Sequence, residues 1–184
     1  TSLTHAGTSN NSAPHADSRA MTFDAAGDLI EVDDGGIYRR NSPQTGNGTW
    51  ASVNGNLQVT EYHGIAYDGR AGRVIGGAQD TGTTEQQTPD SLVFDSVATA
   101  DGGDTVVDDH SSPTVSFRYS SFQNLSGFRR RSYDAANNFT GQVFPPRTAI
   151  GGSPAMQPQF YTPLAVNAVD GLRLNRRVPP RVEQ

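Results

Sequence analysis

Residues 62–83 read YHGIAYDGRAGRVIGGAQDTGT, and this stretch decides the fold class. A short run ends in Asp68, a glycine-rich turn follows, and a second run from Arg73 to Gly77 leads into another turn at Gln79–Gly82. Short apolar runs bounded by Asp and Gly are typical of antiparallel strands joined by tight turns. We therefore expect two short strands here and a third after the second turn.

The same pattern recurs along the chain. The residues that close the first strand of each copy are Asp24, Asp68, Asp108 and Asn167, at separations of 44, 40 and 59 residues. The first two intervals match a four-stranded propeller blade, which has roughly 40 to 50 residues. The sequence therefore predicts an all-β chain of β-propeller blades of four antiparallel strands, about three to four blades in an incomplete ring.

The domain organisation follows from this repeat. Residues 1–14, TSLTHAGTSNNSAP, have no periodicity and predict a loop that leads into the first blade. Residues 15–184 form the partial β-propeller, and the longest interval predicts an insertion at about 132–159. Because an open stack of blades leaves unpaired sheet edges, we expect the rest of the propeller in cis or another subunit in trans to cover them.

Composition excludes several function classes. The chain has 184 residues, a formal charge of -5 and a pI near 5.2, which argues against binding nucleic acid or anionic lipid. The absence of cysteine removes disulfides, thiol nucleophiles and cysteine zinc sites, and the four histidines are isolated in sequence. The sequence contains no apolar run long enough for a membrane span, and its first residues do not form an intact signal peptide. An exported form would have lost its signal.

An ordered set of motifs carries a family resemblance. HADSRAMTFD at 15–24, DDGGIYRR at 33–40, GTW at 48–50 and GGAQDTGT at 76–83 occur in this order. Over about residues 15–175 the chain resembles the Asp-box (BNR-repeat) β-propellers of sialidase-like and sortilin-like proteins. The box at 42–50, SPQTGNGTW, departs from the family pattern because its aspartate is replaced. Such boxes are structural turns, so they indicate a fold and not an active site.

The resemblance also suggests candidate residues. It implies that the turn with Gln79 and Asp80 lies at the mouth of the ring, which makes Gln79 a binding candidate and Asp80 a catalytic one. Glycoside cleavage needs a pair of carboxyl groups across a cleft, whereas Asp in an Asp-Gly turn commonly has only a structural role. His15, Asp17 and Arg19 form a second binding candidate; a buried His–Asp hydrogen bond is the structural alternative.

Three further groups could carry chemistry. Tyr161, next to Phe160, could stack on a sugar, although core packing is the default role of both rings. Short carboxylates could hold calcium at Asp101 and Asp104, or at Asp108 with its neighbour; we expect no other cofactor. The run Arg129–Arg131 could bind an acidic partner or keep a sheet edge solvated.

These observations favour one function and leave two others open. The first is an extracytoplasmic binding or assembly module, extracellular, periplasmic or at the cell surface, that has no catalysis of its own and takes a glycan or protein ligand. The second is a fragment of an Asp-box glycoside hydrolase acting on polysaccharide. The third is a structural subunit of a surface assembly.

Overall fold

The structure, a computed structural model, describes residues 2–147 and 157–167, and the strand backbone alone of 174–176. The chain divides into two compact units, Thr1–Glu61 and Tyr62–Gln184. Apart from two single-turn 3₁₀ helices at His5–Gly7 and Gln123–Leu125, every regular element in the described ranges is a β-strand. Neither helix is long or apolar enough to cross a bilayer.

The first unit contains one four-stranded antiparallel sheet. Its strands lie in chain order, and their bounds are β1 Ala20–Phe23, β2 Leu29–Asp33, β3 Gly36–Arg40 and β4 Trp50–Ser52. On β2, Leu29, Glu31 and Asp33 share the buried face because side chains alternate along a strand. Two of these three buried residues are acidic, so this face is not a purely apolar one.

Residues before the first sheet pack on β3 and β4. The buried guanidinium of Arg40 donates to the carbonyl oxygens of Leu3 at 2.9 Å and of Gly7 at 2.8 Å. The indole nitrogen of Trp50, the single tryptophan, donates to the Leu3 carbonyl at 2.7 Å. Arg40 also donates to the carbonyl of Thr45 at 2.8 Å, so one side chain ties the leading segment to the β3–β4 loop that carries the altered box.

The second unit contains two more four-stranded antiparallel sheets and a strand pair. All three are antiparallel, and each four-stranded sheet again keeps its strands in chain order. The bounds are β5 Tyr62–Asp68, β6 Arg73–Ala78, β7 Gly82–Gln86 and β8 Phe94–Ala98; then β9 Gly102–Asp108, β10 Val115–Phe122, β11 Arg129–Asp134 and β12 Phe139–Val143; and finally β13 Leu164–Val166 with β14 Leu174–Arg176. Three such blades and part of a fourth confirm the predicted fold class.

The residue that ends the first strand of a blade organises the turn after it. In each complete blade one carboxylate oxygen of this aspartate accepts two backbone N–H groups at 2.9–3.1 Å, a geometry that closes a tight turn. The pairs of donors are Ala26 and Asp28 for Asp24, Arg70 and Ala71 for Asp68, and His110 and Ser111 for Asp108.

The two sheets of the second unit meet backbone to backbone near the start of β9, which packs against β5 and β6. A Cβ atom on Gly77 of β6 would lie 1.7 Å from the carbonyl oxygen of Gly103. Only glycine permits this approach. The third blade also packs an apolar cluster of Tyr119, Leu125 and Phe128 against Leu164 of β13.

Around Asp68, the last residue of β5, the interface between these two sheets is charged. Arg118 of β10 is 5% exposed and donates to Asp68 at 2.7 and 2.9 Å and to Glu85 at 2.6 Å. The Ser116 hydroxyl donates to the other Asp68 oxygen at 2.9 Å. The guanidinium of Arg118 also lies 3.9 Å from the centre of the Tyr133 ring. A buried ion-pair network therefore joins the second blade to the third.

The structure describes part of the predicted insertion. Within the predicted insertion at about 132–159, residues 132–143 supply the end of β11 and the whole of β12, which is an edge strand of the third blade. Residues 148–156 of that segment lie outside the described residues. The tail at 171–184 also lies outside them, except for the backbone of β14.

Candidate functional site

One end of the second unit gathers most of the predicted site residues. We call the end at which β5, β9 and β13 begin the upper end, and the end at which these strands finish the lower end. Since β6 runs antiparallel to β5, the β6–β7 turn with Gln79 and Asp80 also lies at the upper end. Asp101 and Asp104 at the start of β9, and Tyr161 before β13, belong to the same end.

His63, the second residue of β5, lies at the centre of this end. Its Nδ1 atom is 2.7 Å from the carbonyl oxygen of Gly102. A carbonyl oxygen can only accept, so Nδ1 carries a proton, and in this tautomer of the imidazole the lone pair is at Nε2. The ring packs edge-on to Phe160, with centroids 6.1 Å apart, and against Tyr161 at 5.4 Å. Sequence spacing left His63 as an isolated histidine, because both partners are distant along the chain.

Asp104 holds the segment before β13. Its two carboxylate oxygens accept the backbone N–H groups of Thr105 at 2.9 Å and of Leu164 at 2.8 Å. Burial, the charge of Asp104 and a hydrogen bond to it raise the pKa of the Tyr161 phenol to about 12. Tyr161 is therefore a neutral hydrogen-bond donor at physiological pH, and its hydroxyl is committed to Asp104.

Asp101 connects the β6–β7 turn with Phe160. One Asp101 carboxylate oxygen accepts the backbone N–H of Asp80 at 3.0 Å, and the Asp101 carbonyl accepts the N–H of Gln123 at 2.9 Å. The next residue, Asn124, donates its N–H to the carbonyl of Phe160 at 2.9 Å. Two consecutive amides thus hold an acidic residue and an aromatic residue side by side.

We call this group the aromatic–acidic cluster. Phe160 is 48% exposed, Asp80 is exposed, and the remaining members are partly buried. Asp80 also has the left-handed backbone conformation, with φ of 59°. The members are His63, Asp80, Asp101, Asp104, Phe160 and Tyr161. Gln79 is partly buried beside them in the same turn.

The predicted calcium ligands separate into two places. Asp101 and Asp104 belong to the aromatic–acidic cluster, whereas Asp108 ends β9 at the lower end. Asp108 is buried; burial raises the pKa of its carboxyl, but hydrogen bonds from Ser111 and His110 outweigh this and lower it overall. The neighbouring Asp109 accepts the backbone N–H of Gly69 at 2.8 Å. At both places the carboxylates contact backbone amides, and calcium binding stays a prediction.

The second predicted group, His15, Asp17 and Arg19, lies in the first unit just before β1. Arg19 pairs with Asp34 through two hydrogen bonds, Nε at 2.9 Å and Nη2 at 3.0 Å, and its side chain is largely exposed. The Nδ1 atom of His15 lies 3.2 Å from the carbonyl of Ala16, and Asp17 has φ of 64°. Arg19 thus has a structural partner that sequence reasoning did not identify.

Glu31 is an acidic residue that sequence reasoning missed. It is 1% exposed on the buried face of β2, two residues from Asp33. Burial raises the pKa of the Glu31 carboxyl, and Asp33 raises it further against the opposing effect of the Ser18 hydroxyl. The signal in the sequence was its position in the alternation, at a site where a strand with one buried face would carry an apolar residue.

The arginine run has a structural role. The guanidinium groups lie over aromatic rings, at 4.3 Å from Phe122 for Arg129, 4.8 Å from Phe117 for Arg130 and 5.9 Å from Phe139 for Arg131. Burial lowers the pKa of Arg129, and the charge of Arg131 lowers it further. Because these guanidinium groups are engaged with aromatic rings of the protein, they are less available to an external partner.

Comparisons with known proteins add no assignment. No protein-family model matches the chain, and no curated protein matches its sequence.

Proposed function

We propose that this chain is an extracytoplasmic β-propeller binding module, with no catalysis of its own, whose ligand site is the aromatic–acidic cluster. One observation carries the proposal. Phe160 is a large aromatic ring, 48% exposed, that packs against His63 and is held next to Asp101 by consecutive backbone amides. Aromatic side chains accompanied by a few polar groups in fixed positions are common in ligand sites.

The cluster is organised before any ligand arrives. His63 is fixed by the Gly102 carbonyl, Tyr161 by Asp104, and the backbone of Phe160 by Asn124. Side chains already held in one orientation lose little conformational entropy when a ligand binds, which favours affinity. This rigidity supports a binding role on the blades themselves, with the surrounding loops adding contacts.

The groups present support binding better than catalysis. A tyrosine could act as the nucleophile in glycoside cleavage, as it does in some sialidases. With its pKa raised to about 12, however, the Tyr161 phenol is almost fully protonated at neutral pH. Both Asp104 oxygens accept backbone N–H groups, so this carboxylate is already engaged in holding the fold together.

A glycoside hydrolase remains the alternative because Asp80 and Asp101 are two acidic residues at the same end, joined by the hydrogen bond from the Asp80 backbone N–H to the Asp101 carboxylate. A screen for hydrolysis of polysaccharides, with the wild type and Asp80→Asn, separates the two functions. We expect no turnover by either protein. Turnover that the substitution abolishes would establish the hydrolase instead.

The binding proposal is tested with an array of immobilised glycans and peptides. We expect the wild type to retain a defined subset, and Phe160→Ala to lose about thirtyfold or more in affinity for it, since an aromatic anchor at the centre of a site contributes about 2 kcal/mol or more. Phe144→Ala is the matched control, because Phe144 is also exposed, at 63%, but lies beyond β12. Equal losses in both variants would contradict the assigned site.

A further inference from the structure

We infer that the aromatic–acidic cluster accepts a cationic, donor-only group, and that its ligand is the arginine side chain of a peptide. This inference rests on the proposed function and names the ligand class of the same site. It follows from which hydrogen-bonding groups of the cluster already have partners within the protein.

The donors of the cluster are engaged within the fold. The Nδ1–H of His63 goes to the Gly102 carbonyl, and the Tyr161 hydroxyl goes to Asp104. The backbone N–H of Asp80 goes to Asp101. A ligand that needs donors from these groups would have to break an existing hydrogen bond, which is costly at a partly buried site.

The positions left for a ligand are acceptors. The lone pair of His63 Nε2 and the second carboxylate oxygen of Asp101 make no hydrogen bond within the part of the chain that the structure describes. The face of the Phe160 ring carries the negative side of an aromatic quadrupole. A lone pair, a carboxylate oxygen and an aromatic face all attract the same kind of group, a cation with several N–H donors.

A guanidinium fits this combination better than a neutral sugar. It is planar, always charged and has five N–H donors and no acceptor, so it can lie on a ring and donate to a carboxylate at the same time. A sugar hydroxyl also presents acceptors, whereas the donors of His63 Nδ1, Tyr161 and the Asp80 backbone are already engaged. The formal charge of -5 favours the approach of a basic peptide.

One cation near the site opposes this attraction. Arg147 donates to the carbonyl of Leu125. Leu125 follows Asn124, whose backbone N–H donates to the Phe160 carbonyl. Removal of its charge by Arg147→Gln should strengthen binding of a cationic ligand, about twofold at low salt, and weaken binding of an anionic one. The sign of this change distinguishes a cationic from an anionic ligand.

The test uses two capped peptides, Gly-Gly-Arg-Gly-Gly and the same sequence with citrulline, which has nearly the shape of arginine without its charge. Titration of the full chain, followed by NMR or calorimetry, should show binding of the arginine peptide that weakens with added salt. Citrulline should bind at least about tenfold more weakly, because the charge contributes 1.4 kcal/mol or more.

Substitutions then locate the ligand. Asp101→Asn should weaken arginine binding about fivefold while its side-chain oxygen still accepts the Asp80 amide, and Phe160→Leu should weaken it about threefold. Asp80→Asn should also weaken binding. Asp90→Asn is its matched control, since both aspartates are exposed in turns with φ near 60°.

The outcomes separate this inference from the proposed function. Equal affinity for arginine and citrulline, no binding of either peptide, or no effect of Asp101→Asn would overturn the cationic ligand. If a neutral glycan were bound and lost in Phe160→Ala, the binding function would stand with a different ligand. If Phe160→Ala changed the binding of nothing on the array, both would fail.

Discussion

At the scale of single residues, Glu31 shows how the position of an acid sets its chemistry. Its carboxyl is buried beside Asp33 on one face of β2, and its pKa is raised. A group whose folded pKa lies above its unfolded value, about 4.3 for glutamate, stabilises the fold fully below the unfolded pKa. That contribution is lost as the pH rises through the folded pKa.

We therefore predict that Glu31→Gln is more stable than the wild type at pH 7 and that this advantage disappears near pH 4. The measurement is the urea midpoint as a function of pH, followed by the fluorescence of Trp50, which is buried in the same unit. Glu61→Gln, at an exposed position, is the control and should leave the pH dependence of the wild type intact. An unchanged pH profile in Glu31→Gln would refute the prediction.

Other residues show which parts of the site a sequence can predict. The turn residues Asp24, Asp68 and Asp108 were aligned correctly, because their role depends on hydrogen bonds within a few positions along the chain. His63 could not be found this way, since its contacts with Gly102 and Tyr161 cross from one blade to another. Asp80, Asp101 and Tyr161 were chosen separately, and the structure brings them to one end.

At the scale of elements, the sheets were predictable and their interfaces were not. Alternation and turn residues predict four short strands to a blade, and the strands lie in chain order as expected. Neighbouring blades do not meet through apolar faces alone. Between the second and third blades the contact uses glycine backbones and the ion pairs of Arg118. Spacing along the chain carries no signal for which acid an arginine will reach.

This network gives a second stability prediction. Arg118→Met should cost about 3–5 kcal/mol of unfolding free energy, because it leaves Asp68 and Glu85 buried without their cation. Addition of Asp68→Asn should recover part of this loss, since one uncompensated charge disappears. Chemical unfolding followed by circular dichroism measures both variants. If the losses simply added, Asp68 and Arg118 would not be coupled.

The Asp68–Arg118 pair also predicts a loss of folding stability at low pH. Burial raises the pKa of Asp68, but hydrogen bonds from Arg118, Ala71 and Ser116 outweigh burial and lower it overall. A carboxyl with a depressed folded pKa stabilises the fold above its unfolded value, about 3.9, and this contribution is lost as the pH falls through the folded pKa. Asp68→Asn should therefore be less stable than the wild type at pH 7, with a difference that narrows below pH 4.

At the scale of the whole molecule, the net negative charge limits the classes of partner that the protein can bind. The chain carries 14 basic residues, all arginine, against 19 acidic ones. Its one run of three consecutive arginines, Arg129–Arg131, is stacked on aromatic rings of the third blade, with Arg131 also donating to the Val97 carbonyl at 2.8 Å. Polyanions bind through several exposed cations at once and release counterions as they do so. The arrangement of these arginines removes the strongest candidate for such a surface.

We therefore predict that the protein, at pH 7 and low salt, is retained on an anion exchanger and passes through heparin and DNA columns. Arg130→Gln should elute from heparin at the same position as the wild type, because the guanidinium it removes lies over the Phe117 ring and contributes little to the external field. Retention of the wild type on heparin, lost in Arg130→Gln, would show that the run acts as an anion site and would reverse the charge preference assigned to the ligand. The excess of acidic over basic residues is instead a setting that favours the approach of a short cationic segment to the upper end.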